Sequence, residues 1–249
     1  MKRLLACIVA ATTVFAVPAA GASARRPTTW VISDQTSSGD WVSPGVSNVW
    51  WYAAKAASNA RAVPIFTSLS GLRHALATKR LGKAKLVAYD LESWSRTPMP
   101  EQQRPISAMR AFTALAHRHH LGSIVVPGRD LPLAPGASCT KFQGETLDQA
   151  FLACGLTFGA AGATYFVLQA APEESTPAAF LAILREVGQQ LHLASPRTRL
   201  VVTLSTSGLK LGPLSSLARR ASLYASGVEL NTTPTGLTEA RRVIAVVGS

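Results

Sequence analysis

The residues best suited to chemistry lie in one short run, Lys85-Leu-Val-Ala-Tyr-Asp-Leu-Glu-Ser-Trp94. Read as a strand it alternates faces, so Leu86, Ala88, Asp90 and Glu92 share one side while Val87, Tyr89 and Leu91 share the other. The first set is small or acidic and suits a lumen that opens into a site. The second is bulky and suits contact with helices. Asp90 and Glu92 then project together, with Cα atoms roughly 6.6 Å apart, two strand residues. Carboxylates this close repel each other's charge, which favours one of them keeping its proton near neutral pH and acting as a general acid. The structural alternative is that one of the two caps a helix or pairs with an arginine.

The elements that must position this pair follow from the periodicity. β-Branched apolar runs predict strands at Thr29 to Asp34, Val63 to Thr67, Lys85 to Glu92, Ser123 to Val126, Tyr165 to Gln169, Leu200 to Ser205, Val228 to Asn231 and Val243 to Val247. Helices are expected at about Ser47 to Ala62, Ser70 to Arg80, Pro98 to His119, Leu147 to Cys154, Pro177 to Leu193 and Pro213 to Ala225. The segment from Pro177 is the clearest amphipathic case, with Phe180, Leu181, Leu184, Val187 and Leu191 at three- and four-residue steps. Such alternation predicts an α/β fold of the small (β/α)8 TIM-like barrel type, with an open doubly wound sheet as the alternative. The last crossover has to be very short, since about a dozen residues separate the final two predicted strands.

In a barrel, reactive residues come from the C-terminal ends of the strands. The chain holds only 13 acids, and seven of them, Asp34, Asp90, Glu92, Asp130, Glu173, Glu174 and Glu229, fall at or just after such ends. Asp34, Asp130 and Glu229 are therefore candidates for a base or nucleophile and for hydroxyl contacts. Gln169 and Asn231 add amides at two further strand ends.

A strand finishing in Asp-x-Glu and followed by an aromatic residue resembles the acidic strand ends of TIM-barrel glycoside hydrolases, including the chitinase-like and lysozyme-like barrels. The run Tyr89-Asp-Leu-Glu-Ser-Trp94, then Thr97-Pro98 and Glu101-Gln102, is also similar to secreted actinobacterial proteins of that barrel type. The resemblance spans about 20 residues and implies Glu92 as proton donor with Asp90 as its orienting partner. Aligning the chitinase-like pattern Asp-x-x-Asp-x-Asp-x-Glu on Glu92 puts Ala88 and Lys85 where two further acids belong, a departure from that activity. On this reading the partner is a polysaccharide or cell-wall glycan, and Trp41 and Trp94, in loops after the first and third strands, are platforms for a sugar face. Trp30, Trp50 and Trp51 read as core.

Other chemistries lack support in the sequence. No Gly-x-Ser-x-Gly elbow is present. His117, His119 and His120 sit at a helix end, where they complement its dipole. Neither a cofactor nor a resident metal is expected, although Asp34, Asp90, Glu92 and Asp130 would be the ligands of a metal-assisted hydrolase. The remaining alternative is a non-catalytic barrel that binds glycans at a cell surface.

Met1-Lys-Arg, the apolar run Leu4 to Val17 and Ala22-Ser-Ala24 read as a secretory signal peptide over residues 1–24, with a single domain over 25–249. No later stretch approaches the roughly 20 apolar residues of a membrane helix. The chain is expected to be secreted. Its balance of +12 falls by two when Lys2 and Arg3 leave, and the scattered cations suit an acidic wall or polysaccharide better than nucleic acid, for which no module is present. Cys139 and Cys154, an even pair in an oxidising compartment, predict one local disulfide.

Overall fold

A computed structural model describes residues 27, 29–33, 49–53, 62–138, 146–232 and 236–248. Its strands are β1 (Thr29–Ser33), β2 (Val49–Ala53), β3 (Ala62–Phe66), β4 (Leu86–Leu91), β5 (Gly122–Pro127), β6 (Tyr165–Gln169), β7 (Arg199–Ser205) and β8 (Gly227–Asn231). Every pairing is parallel, strand order follows the chain, and β1 pairs with both β2 and β8. The helices are α1 (Leu69–Ala77), α2 (Met99–Gln103), α3 (Pro105–Arg118), α4 (Leu147–Cys154), α5 (Pro177–Ala194), α6 (Leu211–Ala221) and α7 (Leu237–Gly248).

This arrangement corrects the expected small (β/α)8 barrel. Among the described residues six strands, β3 to β8, are each followed by a helix, and the eightfold repeat is not met. Only residues 54–61 link β2 to β3, fewer than the dozen or more that a helical crossover between parallel strands takes. The register also thins: β3–β4 and β5–β6 each keep two paired positions, against six for β4–β5. The result is an irregular, strongly curled sheet, a distorted TIM-barrel-like fold. Seven strands, running from β3 to β8 and on to β1, carry the described inner wall, and β2 is placed by its backbone pairings.

Two element assignments explain the departure. Val49-Trp-Trp-Tyr-Ala53 was expected to be helical with the alanines that follow, yet its bulky aromatic and β-branched residues favour a strand. The run Val243 to Val247 was expected to be the last strand and is instead part of α7. Ala240, Val243, Ile244 and Val247 are buried while Ala245 and Val246 face solvent, which is a helical period. The expected helix Pro98 to His119 divides at Pro105, since the residue before a proline is pushed out of the helical region, and Arg104 sits at φ −129° and ψ 58°.

The core has two layers. Inside the curl lies an apolar floor that includes Val31, Val63, Leu86, Ala88, Ile124, Val167 and Val201. Outside it, Val87, Tyr89 and Leu91 join the larger core beneath the helices, where Tyr89 stacks on Phe112 with ring centroids 4.6 Å apart. The alternation of faces expected for β4 is therefore present. Tyr89 also anchors the strand, because its hydroxyl donates to Glu101 of α2. The same carboxylate accepts the Leu69 amide at 3.1 Å, tying α1, α2 and β4 to one point. Burial and the Glu101 charge push the Tyr89 hydroxyl far above its ordinary range, so it remains a donor.

The expected Cys139–Cys154 disulfide is not part of the described fold. Cys139 lies outside the described residues, and Cys154, which closes α4, is the only cysteine among them.

Candidate active site

Two residues beyond the apolar floor, four of the strands change character, while β3 and β5 continue apolar with Ile65 and Val126. Ala88 is succeeded on the inner face by Asp90, Val167 by Gln169, Val201 by Thr203 and Gly227 by Glu229. Glu92, Asp130 and Asn231 lie further toward the open end. Together these residues line a cavity of about 410 Å³. Its remaining wall is Arg129 with the apolar residues Ile65, Val126, Leu147, Ala171 and Pro172.

Six of the residues singled out in the sequence meet here: Asp90, Glu92, Asp130, Gln169, Glu229 and Asn231. Trp94 is not in the lining. Its indole N–H donates to Thr97 Oγ1 at 2.8 Å, Gln102 donates to its carbonyl at 2.8 Å, and the Arg96 guanidinium lies 5.3 Å from its ring centre. Asp34 and Trp41 lie outside the described residues. Trp30 is fully buried, as expected of core.

Each carboxylate has a different environment. Gln169 Nε2 donates to Glu92 Oε1 at 2.8 Å, which fixes that side chain at the strand end. Thr203 Oγ1 donates to Glu229 Oε2 at 2.9 Å, and Glu229 is 4% exposed. Asp90 accepts no hydrogen bond and forms no ion pair among the described residues. Burial, and then the charges of Glu92 and Glu229, push its carboxyl up to about 7, with Arg96 opposing the rise. Asp90 thus holds a proton at a pH where an ordinary aspartate has lost it.

The sequence places Arg129 and Thr203 at predicted strand ends but assigns neither a role. The Thr203 signal was available, since it follows Val201 by one strand period. Arg129 offered less, because its partners are distant in sequence. Its guanidinium donates to Asp148 at the start of α4 and to Glu173 in the turn after β6. Burial raises the Asp148 carboxyl even so, with Arg129 opposing. The Arg129 Nε–H has no partner among the described residues. Glu174 adds a further tie by accepting the Ser205 amide. Its own carboxyl is pushed up to about 7, chiefly by burial and also by Glu173, with the Ser205 amide bond opposing.

No family model and no curated protein matches the sequence. Among solved structures the chain is weakly similar to an HMG-CoA lyase from Brucella melitensis, with a TM-score of 0.42 and 14% identity over 68% of this chain and 55% of that one. It is similar also to a cyclomaltodextrinase, with a TM-score of 0.37 and 10% identity over 83% and 42%. The chain spans about half the length of these solved chains. The two are enzymes of different chemistry, and likeness at this level assigns neither reaction to the present chain. Among the described residues no group of three or more His, Cys, Asp or Glu is arranged to hold a metal ion, and no helix is long and apolar enough to cross a membrane.

Proposed function

We propose that the chain is a secreted, glycoside hydrolase-like protein that cleaves glycosidic bonds by carboxylate acid–base catalysis. One observation carries this reading: Asp90 and Glu92 share an open cavity, and no cation is paired with either among the described residues. Acids retained purely for structure would be expected to find a guanidinium, and the buried one nearby is taken up by Asp148 and Glu173.

Burial and the neighbouring charges of Glu92 and Glu229 favour Asp90 as the acid, the reverse of the roles implied by the sequence resemblance. When neighbouring carboxyl groups have different environments, the one whose proton is held more tightly is the donor. Asp90 would protonate the leaving oxygen. Glu92, fixed by the Gln169 amide, would face the positive charge that develops at the sugar. The polar lining supplied by Asn231, Gln169 and Thr203 suits hydroxyl groups, and the Ile65, Val126 and Pro172 wall suits the apolar face of a ring.

The test is turnover of cell-wall, plant and fungal polysaccharides by the full chain, with Asp90→Asn and Glu92→Gln as controls. Hydrolysis lost in both variants supports the reading. Hydrolysis of no glycan, or equal rates in wild type and variants, rejects it. Binding without turnover by the wild type would instead favour the non-catalytic glycan-binding alternative.

A further inference from the structure

Hydrolysis needs a group to take the proton of the attacking water as well as one to protonate the leaving oxygen. The inference below rests on the hydrolase reading and concerns which residue is that base. Among the described residues two further lining carboxylates remain. Glu229 is 4% exposed and accepts the Thr203 hydroxyl, which places it in the floor. Asp130 is exposed at the rim, where water arrives.

Asp130 and Glu92 also flank one spot, and the residue at that spot is a glycine. A Cβ on Gly128 would come within 2.6 Å of Asp130 Oδ1, 3.0 Å of Glu92 Cγ and 3.1 Å of Glu92 Cα. Real Cβ atoms essentially never approach a neighbour as closely as the first of these. The spot is fixed from both sides. The Gly128 amide donates to Leu91 O at 2.7 Å, and the Ser93 amide donates to Asp130 Oδ1 at 3.4 Å.

We propose that Asp130 is the general base of the reaction and that Gly128 is the positioning residue that lets its carboxylate lie beside Glu92. The proton of Asp90 passes to the glycosidic oxygen as the bond from that oxygen to the anomeric carbon breaks and its electron pair leaves on oxygen. The water oxygen forms the new bond to the anomeric carbon and gives one proton to Asp130. Solvent then carries that proton away and reprotonates Asp90, so one water is consumed for each bond cleaved.

Gly128→Ala separates positioning from folding. Its methyl group comes closest to the tip of the exposed Asp130 side chain, which can swing away, and presses less severely on Glu92 Cγ and Cα, which need give only a few tenths of an ångström. The substitution should therefore turn Asp130 away and leave the fold in place.

The experiment compares wild type, Asp130→Ala, Gly128→Ala and the double variant on the glycan that the wild type cleaves best. Sodium azide is the probe, because it attacks the anomeric carbon without having to lose a proton. Asp130→Ala is expected to lower kcat by roughly 100-fold or more, with KM and melting temperature nearly unchanged, and azide should restore turnover with a glycosyl azide as product. Gly128→Ala should lower kcat by about 10-fold as a fraction of that loss, and the double variant should be no slower than Asp130→Ala alone. Full activity in Asp130→Ala, or a loss that azide does not relieve, overturns the assignment while leaving the hydrolase reading intact. Absence of wild-type turnover on every glycan overturns both. A lowered melting temperature in Gly128→Ala overturns its positioning role, and the Asp130 arms then decide the base by themselves.

Discussion

Two groups of charge face the same cavity and are built in opposite ways. On one wall Arg129 sits between Asp148 and Glu173, and its buried guanidinium ties the end of β5 to α4 and to the turn after β6. In the same lining Asp90 and Glu92 form no ion pair among the described residues. The first group neutralises charge by pairing; the second neutralises it by keeping a proton on Asp90. Pairing fixes three elements at the rim and leaves little to react. A retained proton leaves a group that can give it up, at the expense of stability, which is the usual relation between an active site and its fold.

The sharpest way to test that contrast is to remove the unpaired acids. Asp90→Asn should lower kcat on a cleaved glycan by roughly 100- to 10,000-fold, the range for loss of a general acid, and Glu92→Gln by roughly 100- to 1,000-fold, as loss of a stabilising charge does. Both variants should remain folded by circular dichroism. Arg129→Met should do the converse. It leaves Asp148 and Glu173 without their cation and should cost about 3 kcal/mol in a denaturant titration, as broken buried pairs do.

Stability against pH gives the third test. The folded Asp90 keeps its proton up to about pH 7, whereas the unfolded chain releases it near the ordinary aspartate value of 3.8. Between these limits the folded state binds more protons, so stability falls as pH rises through the window and levels off above it. Asp90→Asn removes this penalty and should stabilise the chain by roughly 4 kcal/mol above pH 7, with no gain near pH 3. Melting curves of the two proteins across that range would show it. The smallest effect belongs to Thr203→Val, which takes one hydrogen bond from Glu229 and should cost about 1 kcal/mol by the same denaturant titration.

How much of this was legible in the sequence depended on range. The inward alternation of Leu86, Ala88, Asp90 and Glu92 needs only strand parity, and the core layers bear it out for Leu86 and Ala88. Seven of the expected strand positions coincide with strands, and the expected α4 bounds are those observed. The misread elements were apolar runs of ambiguous period. Val243 to Val247 became a helix once its buried side faced the sheet, and Trp50-Trp51 joined a strand rather than the alanine-rich stretch beside them. Those two assignments also carried the regular eightfold barrel away. Trp94 was read as a platform from its place in the loop after the third strand, and its local hydrogen bonds with Thr97 and Gln102 leave no periodic trace. The Arg129 clamp joins residues 19 and 44 positions apart, so no local pattern announces it.

The contrast between paired and proton-holding acids is tested most directly by the pH dependence of glycan hydrolysis in wild type and Asp90→Asn. Wild-type kcat should fall as pH rises through about 7, where Asp90 loses its proton, and the variant should show only a small residual rate with no such fall. A wild type that cleaves no glycan, or a variant that keeps the wild-type rate and the same fall near that pH, would contradict the account.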